Sequence, residues 1–336
     1  RAATQALRPE IQQRVEKFIN SPDTSFSLAN PEACDYPDVL WNQVPVARLE
    51  ASNNLLKPKL ILLKSDLIDN NYKRSIHRRL QRWLNDYIRQ TLSPLFIDTK
   101  KLPAGTARGL HFRLTENLGS MARELIKEEV KALDRESRRA LRIHGFRIGR
   151  ETVYAPALLK LRPITLRAIL WSVNRGLSLP LKLPKNGRAS IRIEESSPPE
   201  FLEAIGYRPL GLLAVRVEIL ERTAAEAWAL NEKGQFKEPA QLMNLIGCNA
   251  DELAEVLKHL GYHRETKGSR KIYRLKRRQT GQTEPKNSYM KSKQTKKLKS
   301  KNLGKHYSKQ RTSSNYNPDS PFAKLRNLNL NQSDQP

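Results

Sequence analysis

The chain changes character abruptly after Leu275, and that break limits how much of it can fold. Residues 276–311 carry 13 Lys or Arg and one acidic residue, spaced by Ser, Thr, Asn and Gln. Such a stretch cannot bury enough apolar surface to offset the entropy of ordering it, so it is expected to be disordered. Residues 276–336 hold +12 of the chain's net charge of +27, which leaves +15 on residues 1–275. The foldable part is therefore basic in its own right. A surface of that sign favours a polyanion: RNA, DNA or a membrane face.

Composition excludes several classes. No run approaches the roughly 18 apolar residues of a membrane span. Arg1-Ala2-Ala3-Thr4 lacks a Met and the charged-then-apolar order of a signal peptide, which suggests a piece of a longer protein or a gene interrupted upstream. Cys34 and Cys248 are the only cysteines, too few for a disulfide framework or a Cys-rich zinc site, so a reducing, cytoplasmic location is expected.

Hydrophobic periodicity divides the rest. Residues 1–20 predict a helix with Ile11, Val15, Phe18 and Ile19 on one face. Residues 39–41 and 44–49, joined by Asn42-Gln43, predict a hairpin, and 60–63 a further strand or the start of a helix. Residues 71–95 predict a long basic helix whose apolar face (Ile76, Leu80, Trp83, Leu84, Tyr87, Ile88, Leu92) is expected to be left open for a motor domain. Helices follow over 107–118 and, unbroken, 121–144; then a hairpin over 144–154 turning near Gly149, and a helix from Pro163 through Val173. Residues 176–200, with Pro180, Pro184, Pro198 and Pro199, read as a crossing loop holding one short strand at 189–193.

Residues 206–275 have the order of a winged helix. A first helix carries Leu213, Val217, Leu220, Ala224 and Trp228 on one face; Gly234-Gln235-Phe236 makes a short strand; Glu238-Pro239 opens a second helix. Asn249 with Glu252 three residues on is a capping box for a third, and a hairpin closes the module. The expected class is mainly α with small β-hairpins, an α+β chain. Its parts are a helical region 1–175 with two small hairpins, a Pro-rich linker 176–205, a winged-helix-like module 206–275 and a disordered Lys-rich tail 276–336.

The search for chemistry finds no catalytic constellation. A P-loop needs Gly, four residues, then Gly-Lys-Ser/Thr, and the one Gly-Lys pair, Gly304-Lys305, is followed by His306. No Asp-Glu-x-His/Asp run, Gly-x-Ser-x-Gly elbow or His-Glu-x-x-His is present. His259 and His263 are four apart, but Gly261 interrupts the helix between them, so they read as surface histidines. Cys34 and Cys248 read as inert thiols. No cofactor and no metal are expected in this chain.

Basic residues carry the functional signal. The wing concentrates Arg264, Lys267, Arg270, Lys271, Arg274, Lys276, Arg277 and Arg278. The third helix of the module instead begins with Asp251, Glu252 and Glu255, whose carboxylates would repel phosphate, so base readout in a major groove is excluded. Arg74, Arg78 and Arg82, with Arg89, follow a mostly four-residue spacing that can track a nucleic-acid backbone, and Arg108, Arg147 and Arg150 are weaker candidates of the same kind. A solvated helix face or a solubilising tail is the competing explanation of these charges. A membrane-surface role for 71–95 is set aside because its Trp-bearing face looks folded.

The ordered fragments also resemble a known family. They are Leu40-Trp41 with Val44-Pro45-Val46-Ala47-Arg48-Leu49; Thr106-Ala107-Arg108-Gly109-Leu110-His111-Phe112-Arg113-Leu114 with Glu116-Asn117-Leu118-Gly119; Val130-Lys131-Ala132-Leu133-Asp134; and His144-Gly145-Phe146-Arg147-Ile148-Gly149 running on to Val153-Tyr154-Ala155-Pro156-Ala157-Leu158-Leu159-Lys160. Gly206-Tyr207-Arg208, Val215-Arg216-Val217-Glu218-Ile219-Leu220-Glu221-Arg222, Leu245-Ile246-Gly247-Cys248 and the tail's Asp319-Ser320-Pro321-Phe322-Ala323-Lys324-Leu325 continue the series. Together they resemble the C-terminal region of alphaproteobacterial superfamily-two DExH-box helicases similar to the mitochondrial degradosome RNA helicase. The resemblance implies a parent protein that hydrolyses ATP to unwind RNA or DNA, with ATP and magnesium held only in motor domains outside this chain. It implies no catalytic residue here, because no position matches the ATP-binding or magnesium-binding motifs. The expected partners are RNA or DNA and a helicase motor domain acting in trans, with no membrane. The alternative is a stand-alone nucleic-acid-binding adaptor or scaffold docking to ribonucleoprotein partners, with Phe322 to Leu325 as its handle.

Overall fold

The computed structural model describes residues 8–63, 68–177, 179–193, 198–267 and 270–276. Helix α1 (Arg8–Ile19) sets Phe18 edge-on against Phe26 and Trp41, at 5.2 and 5.0 Å between ring centres. Those two rings belong to an antiparallel sheet in the order β1 (Phe26–Leu28), β2 (Asp38–Trp41), β3 (Val44–Glu50), β4 (Lys59–Leu62). The hairpin expected at 39–49 is β2–β3. Its turn residues Asn42 (φ 47°) and Gln43 (φ 67°) are both left-handed, the twist that a two-residue hairpin requires. Pro45 cannot donate to the ladder, and the register shifts beside it, opposite Val39 and Leu40.

Helix α2 (Asn70–Thr91) ends before the expected 95, and Ser93–Leu95 form a separate 3-10 turn. The open apolar face expected on it is absent. Ile76, Leu80, Trp83, Leu84 and Ile88 are buried in the main core, with Trp83 stacked on Tyr87 and set against Phe26. The chain's own α1 and first sheet supply the apolar surface that this face needs.

Helix α3 (Thr106–Glu116) matches its expectation closely, but the continuous helix expected over 121–144 is broken into pieces. Strand β5 (Ser120–Ala122) comes first, then a 3-10 turn, α4 (Lys127–Ala132) and α5 (Arg135–Ile143). Two causes are visible. Residues 120–122 pair with β7 (Thr152–Tyr154), which also pairs with β6 (Arg147–Ile148) in the expected hairpin. Leu133 is extended (φ −70°, ψ 122°), and the Asp134 carboxylate then accepts from the Ser137 amide at 2.7 Å, capping a new helix.

Helix α6 (Leu161–Arg175) is buried nearly all round from Pro163 to Ser172 and runs through the core. It carries one fully buried cation, Arg167, which donates to the carbonyls of Leu118 (3.1 Å), Leu158 (2.6 Å) and Ile205 (3.0 Å). Burial pushes its guanidinium down to about 9, still above neutral pH, so it stays charged and binds three otherwise separate loops.

Within the stretch read as a linker lie β8 (Ser190–Arg192) and α7 (Pro199–Ala204). Strand β8 joins a sheet in the order β8-β10-β9 with β9 (Tyr207–Leu210) and β10 (Leu213–Arg216). This corrects the expected first helix of the winged module. Leu213 sits in a strand following the left-handed Gly211, and α8 (Val217–Leu230) begins only at Val217. Trp228 leaves the core face and is 53% exposed. Strand β10 separates two cores: Ala214 faces the main one, while Leu213 and Val215 face the smaller one. A period of two with both faces buried explains its unbroken apolar run.

Beyond α8 the winged helix is present: β11 (Phe236–Lys237), α9 (Ala240–Ile246), α10 (Ala250–His259), and the wing β12 (Tyr262–Lys267) and β13 (Arg270–Leu275), in the sheet order β11-β13-β12. The capping box forms as expected. Asn249 Oδ1 accepts from the Asp251 and Glu252 amides, and Glu252 Oε2 accepts from the Asn249 amide at 2.9 Å. The tail from 277 onward lies outside the described residues, as do Arg277, Arg278 and the Phe322 to Leu325 handle.

Candidate nucleic-acid interface

Burying one face of α2 decides what its other face presents. Arg79 turns inward: it donates to the carbonyls of Ile19 and Ser21, pairs with Asp23 at 2.7 Å and lies over Phe26. Arg89 lies over Phe96, its Cζ 5.6 Å from the ring centre. Arg74, Arg78 and Arg82 remain exposed on the outer face, and among the described residues none of the three makes a hydrogen bond or ion pair. At 1.5 Å of rise per residue they stand about 6 Å apart and span about 12 Å. They line an open groove beside Leu62 with Lys73, Asn70, His77, Gln81 and Asn85, and among the described residues no carboxylate lines it. His77 Nε2 meets the Leu60 carbonyl at 3.2 Å, tying the helix to the end of β4. Its described lining therefore offers four cations and several uncharged hydrogen-bonding groups.

The wing is differently arranged. Arg264 pairs with Asp251 at 2.8 Å, which holds the Asp251 carboxyl low and the guanidinium high. Lys271 approaches Glu238 at 3.8 Å, and Arg274 reaches Glu265 at 3.5 Å while donating to Gln235 Oε1. The acidic start of α10 and the basic wing thus face each other. Exposed pairs of this kind add little stability, but they offset part of the positive field expected there. Lys267 and Arg270 pair through their backbones at the wing tip, and their side chains lie outside the described residues.

Arg108 donates to the Leu102 carbonyl at 3.0 Å and remains exposed. Arg147 and Arg150 lie on the β6–β7 hairpin, far in sequence from the α2 groove. The turn of that hairpin is fastened to α8: the amides of Arg150, Glu151 and Thr152 donate to the Glu221 carboxylate at 2.6, 2.9 and 2.6 Å. Burial raises the pKa of Glu221, against the downward pull of these three donors. Gly149 sits so close that a Cβ there would strike this carboxylate.

Sequence reasoning missed a further basic face on α5. Arg135, Arg139 and Arg142 are exposed and, among the described residues, unpaired, while Arg138 turns back to the carbonyls of Val130 and Leu133. The signal was available as basic residues at i, i+4 and i+7 directly after the Asp134 cap. Read as one helix over 121–144, the stretch shows Arg135 among Glu128, Glu129, Lys131 and Asp134 on a mixed-charge solvent side, which masks the all-basic set.

His259 and His263 do not come together as a ligand pair; His263 contacts Glu265 at 3.2 Å. Among the described residues no cluster of His, Cys, Asp and Glu is placed to hold a metal ion, and no helix is long and apolar enough to cross a membrane. Cys34 and Cys248 are free thiols, and burial pushes Cys248 up to about 11, far from a reactive thiolate. No family model, curated protein or solved structure matches this chain.

Proposed function

We propose that this chain is the non-motor C-terminal region of an ATP-dependent RNA or DNA helicase, acting in the cytoplasm and gripping a nucleic-acid strand through its basic surfaces. ATP and magnesium belong to motor domains outside this chain, supplied in the same polypeptide or in trans. The observation that carries the reading is the α2 groove, where Lys73, Arg74, Arg78 and Arg82 stand with no carboxylate among the described residues that line it. Arginines about 6 Å apart along a rigid helix can meet successive phosphates of one strand, and each neutralised phosphate releases counterions. The winged helix and the ordered resemblance support placing this grip within a helicase.

The test is fluorescence anisotropy with single-stranded and duplex RNA and DNA across a salt series, with ATP hydrolysis followed in the same samples. For a single strand each lost phosphate contact lowers the slope of log K against log salt by about 0.7, so R74A/R78A/R82A should lower it by about 2. An unchanged slope and affinity in that variant would remove the groove from the interface. ATP hydrolysis that persists through purification would overturn the non-motor assignment.

A further inference from the structure

We propose that Trp228 is a stacking platform for an unpaired nucleobase, an inference that rests on the nucleic-acid reading above. Its position is unusual among the tryptophans. Trp41, Trp83 and Trp171 all pack against phenylalanine rings of the main core, whereas Trp228 stands 53% exposed on α8. An exposed indole on a basic protein offers a flat apolar surface and a π-face that a flat ligand can cover.

The Arg150 guanidinium carbon lies 4.4 Å from the Trp228 ring centre, and the residue as a whole is still 53% exposed. Arg150 is held there by its own backbone, because its amide donates to Glu221 Oε2 at 2.6 Å. Glu221 and Trp228 are seven residues apart on α8, two helical turns, so one rigid helix supplies both the aromatic plate and the anchor for its cation. Arg147 is exposed on the same hairpin.

A cation on one face and solvent-exposed ring surface beyond it suit a nucleobase of a single strand, whose phosphates the arginines can meet while the base stacks. Every base has such a face, so the site tolerates any sequence. A duplex, whose bases are already stacked, gains nothing there.

The experiment uses the full chain with a short oligouridylate and an abasic strand of equal length, recording tryptophan emission and binding together. In the wild type the oligouridylate should quench emission, while the abasic strand should bind without quenching. W228L should bind the oligouridylate about fivefold to a hundredfold more weakly and the abasic strand unchanged, and W228F, which keeps a ring, should retain most of the affinity. Equal oligouridylate affinity in W228L and wild type would overturn the platform, as would equal losses in W228L and W228F. The R74A/R78A/R82A variant separates the two readings, since it should weaken both strands alike and leave the quenching of the bound state intact. If the wild type binds neither strand, the nucleic-acid reading and the platform fall together. If it binds both equally and without quenching, the platform alone falls.

Discussion

Replacing Arg167 by Met should destabilise the fold by about 2–4 kcal/mol, although the change removes a buried charge. Exchanging a buried ion pair for apolar residues is often neutral or stabilising, because both partners are removed together and their desolvation is recovered. Here the partners are the backbone carbonyls of Leu118, Leu158 and Ile205, at 3.1, 2.6 and 3.0 Å, and no side-chain substitution can remove them. Left without a donor in the core, each costs about 1–2 kcal/mol, or about 3–6 in all. Relief of the guanidinium's own burial offsets part of that. The site is also conformationally demanding: Leu118 is left-handed at φ 53°, and a Cβ on Gly206 would sit 3.2 Å from Arg167 Nη2. Urea unfolding of wild type and R167M at neutral pH would show a lower midpoint at unchanged slope. A midpoint within error of wild type would refute the reasoning, since it would mean that the three carbonyls find water or other donors without cost.

Three further outcomes follow from the geometry. Gly149→Ala and Glu221→Ala should each destabilise by about 1–3 kcal/mol, and the double variant should lose little more than either alone, because both break the same contact; additive losses in a double-mutant cycle would sink that account. Asp134 is held below the ordinary carboxyl range by its bonds to Ser137, so the stability it contributes is present above the unfolded value of about 3.9 and is lost as pH falls through the lower folded value. D134A should therefore show a shallower decline of melting temperature below about pH 4 than wild type. If the α5 face binds phosphate, R135A/R139A/R142A should lower the salt slope for single-stranded RNA by about 2 with no change in melting temperature, and an unchanged slope would mark it as a solvated face.

What could be read locally was read well where the signal was itself local. The Asn249 and Glu252 capping box, the Asn42-Gln43 turn and the apolar face of α2 all formed, because caps, turns and helical faces depend on residues within a few positions of one another. The misreadings fell where distant segments compete. Residues 120–122 have helical neighbours yet pair with 152–154, and Leu213 fits a helical face yet pairs with 190–192 and 207–210. Trp228 was drawn to the wrong face by that same frame.

The sequence alone determined the class of the fold, its basic charge and the order of the winged helix. Composition and short-range periodicity decide whether a segment can bury a face at all. The tertiary structure decided which charges remain available. It cancelled the wing's Arg264 and Arg274 against Asp251 and Glu265, buried Arg167 on carbonyls, turned Arg79 inward and left Arg74, Arg78 and Arg82 facing solvent. A charge is free to meet a phosphate only if no carboxylate or carbonyl of the fold reaches it first. That depends on packing between residues far apart in the chain.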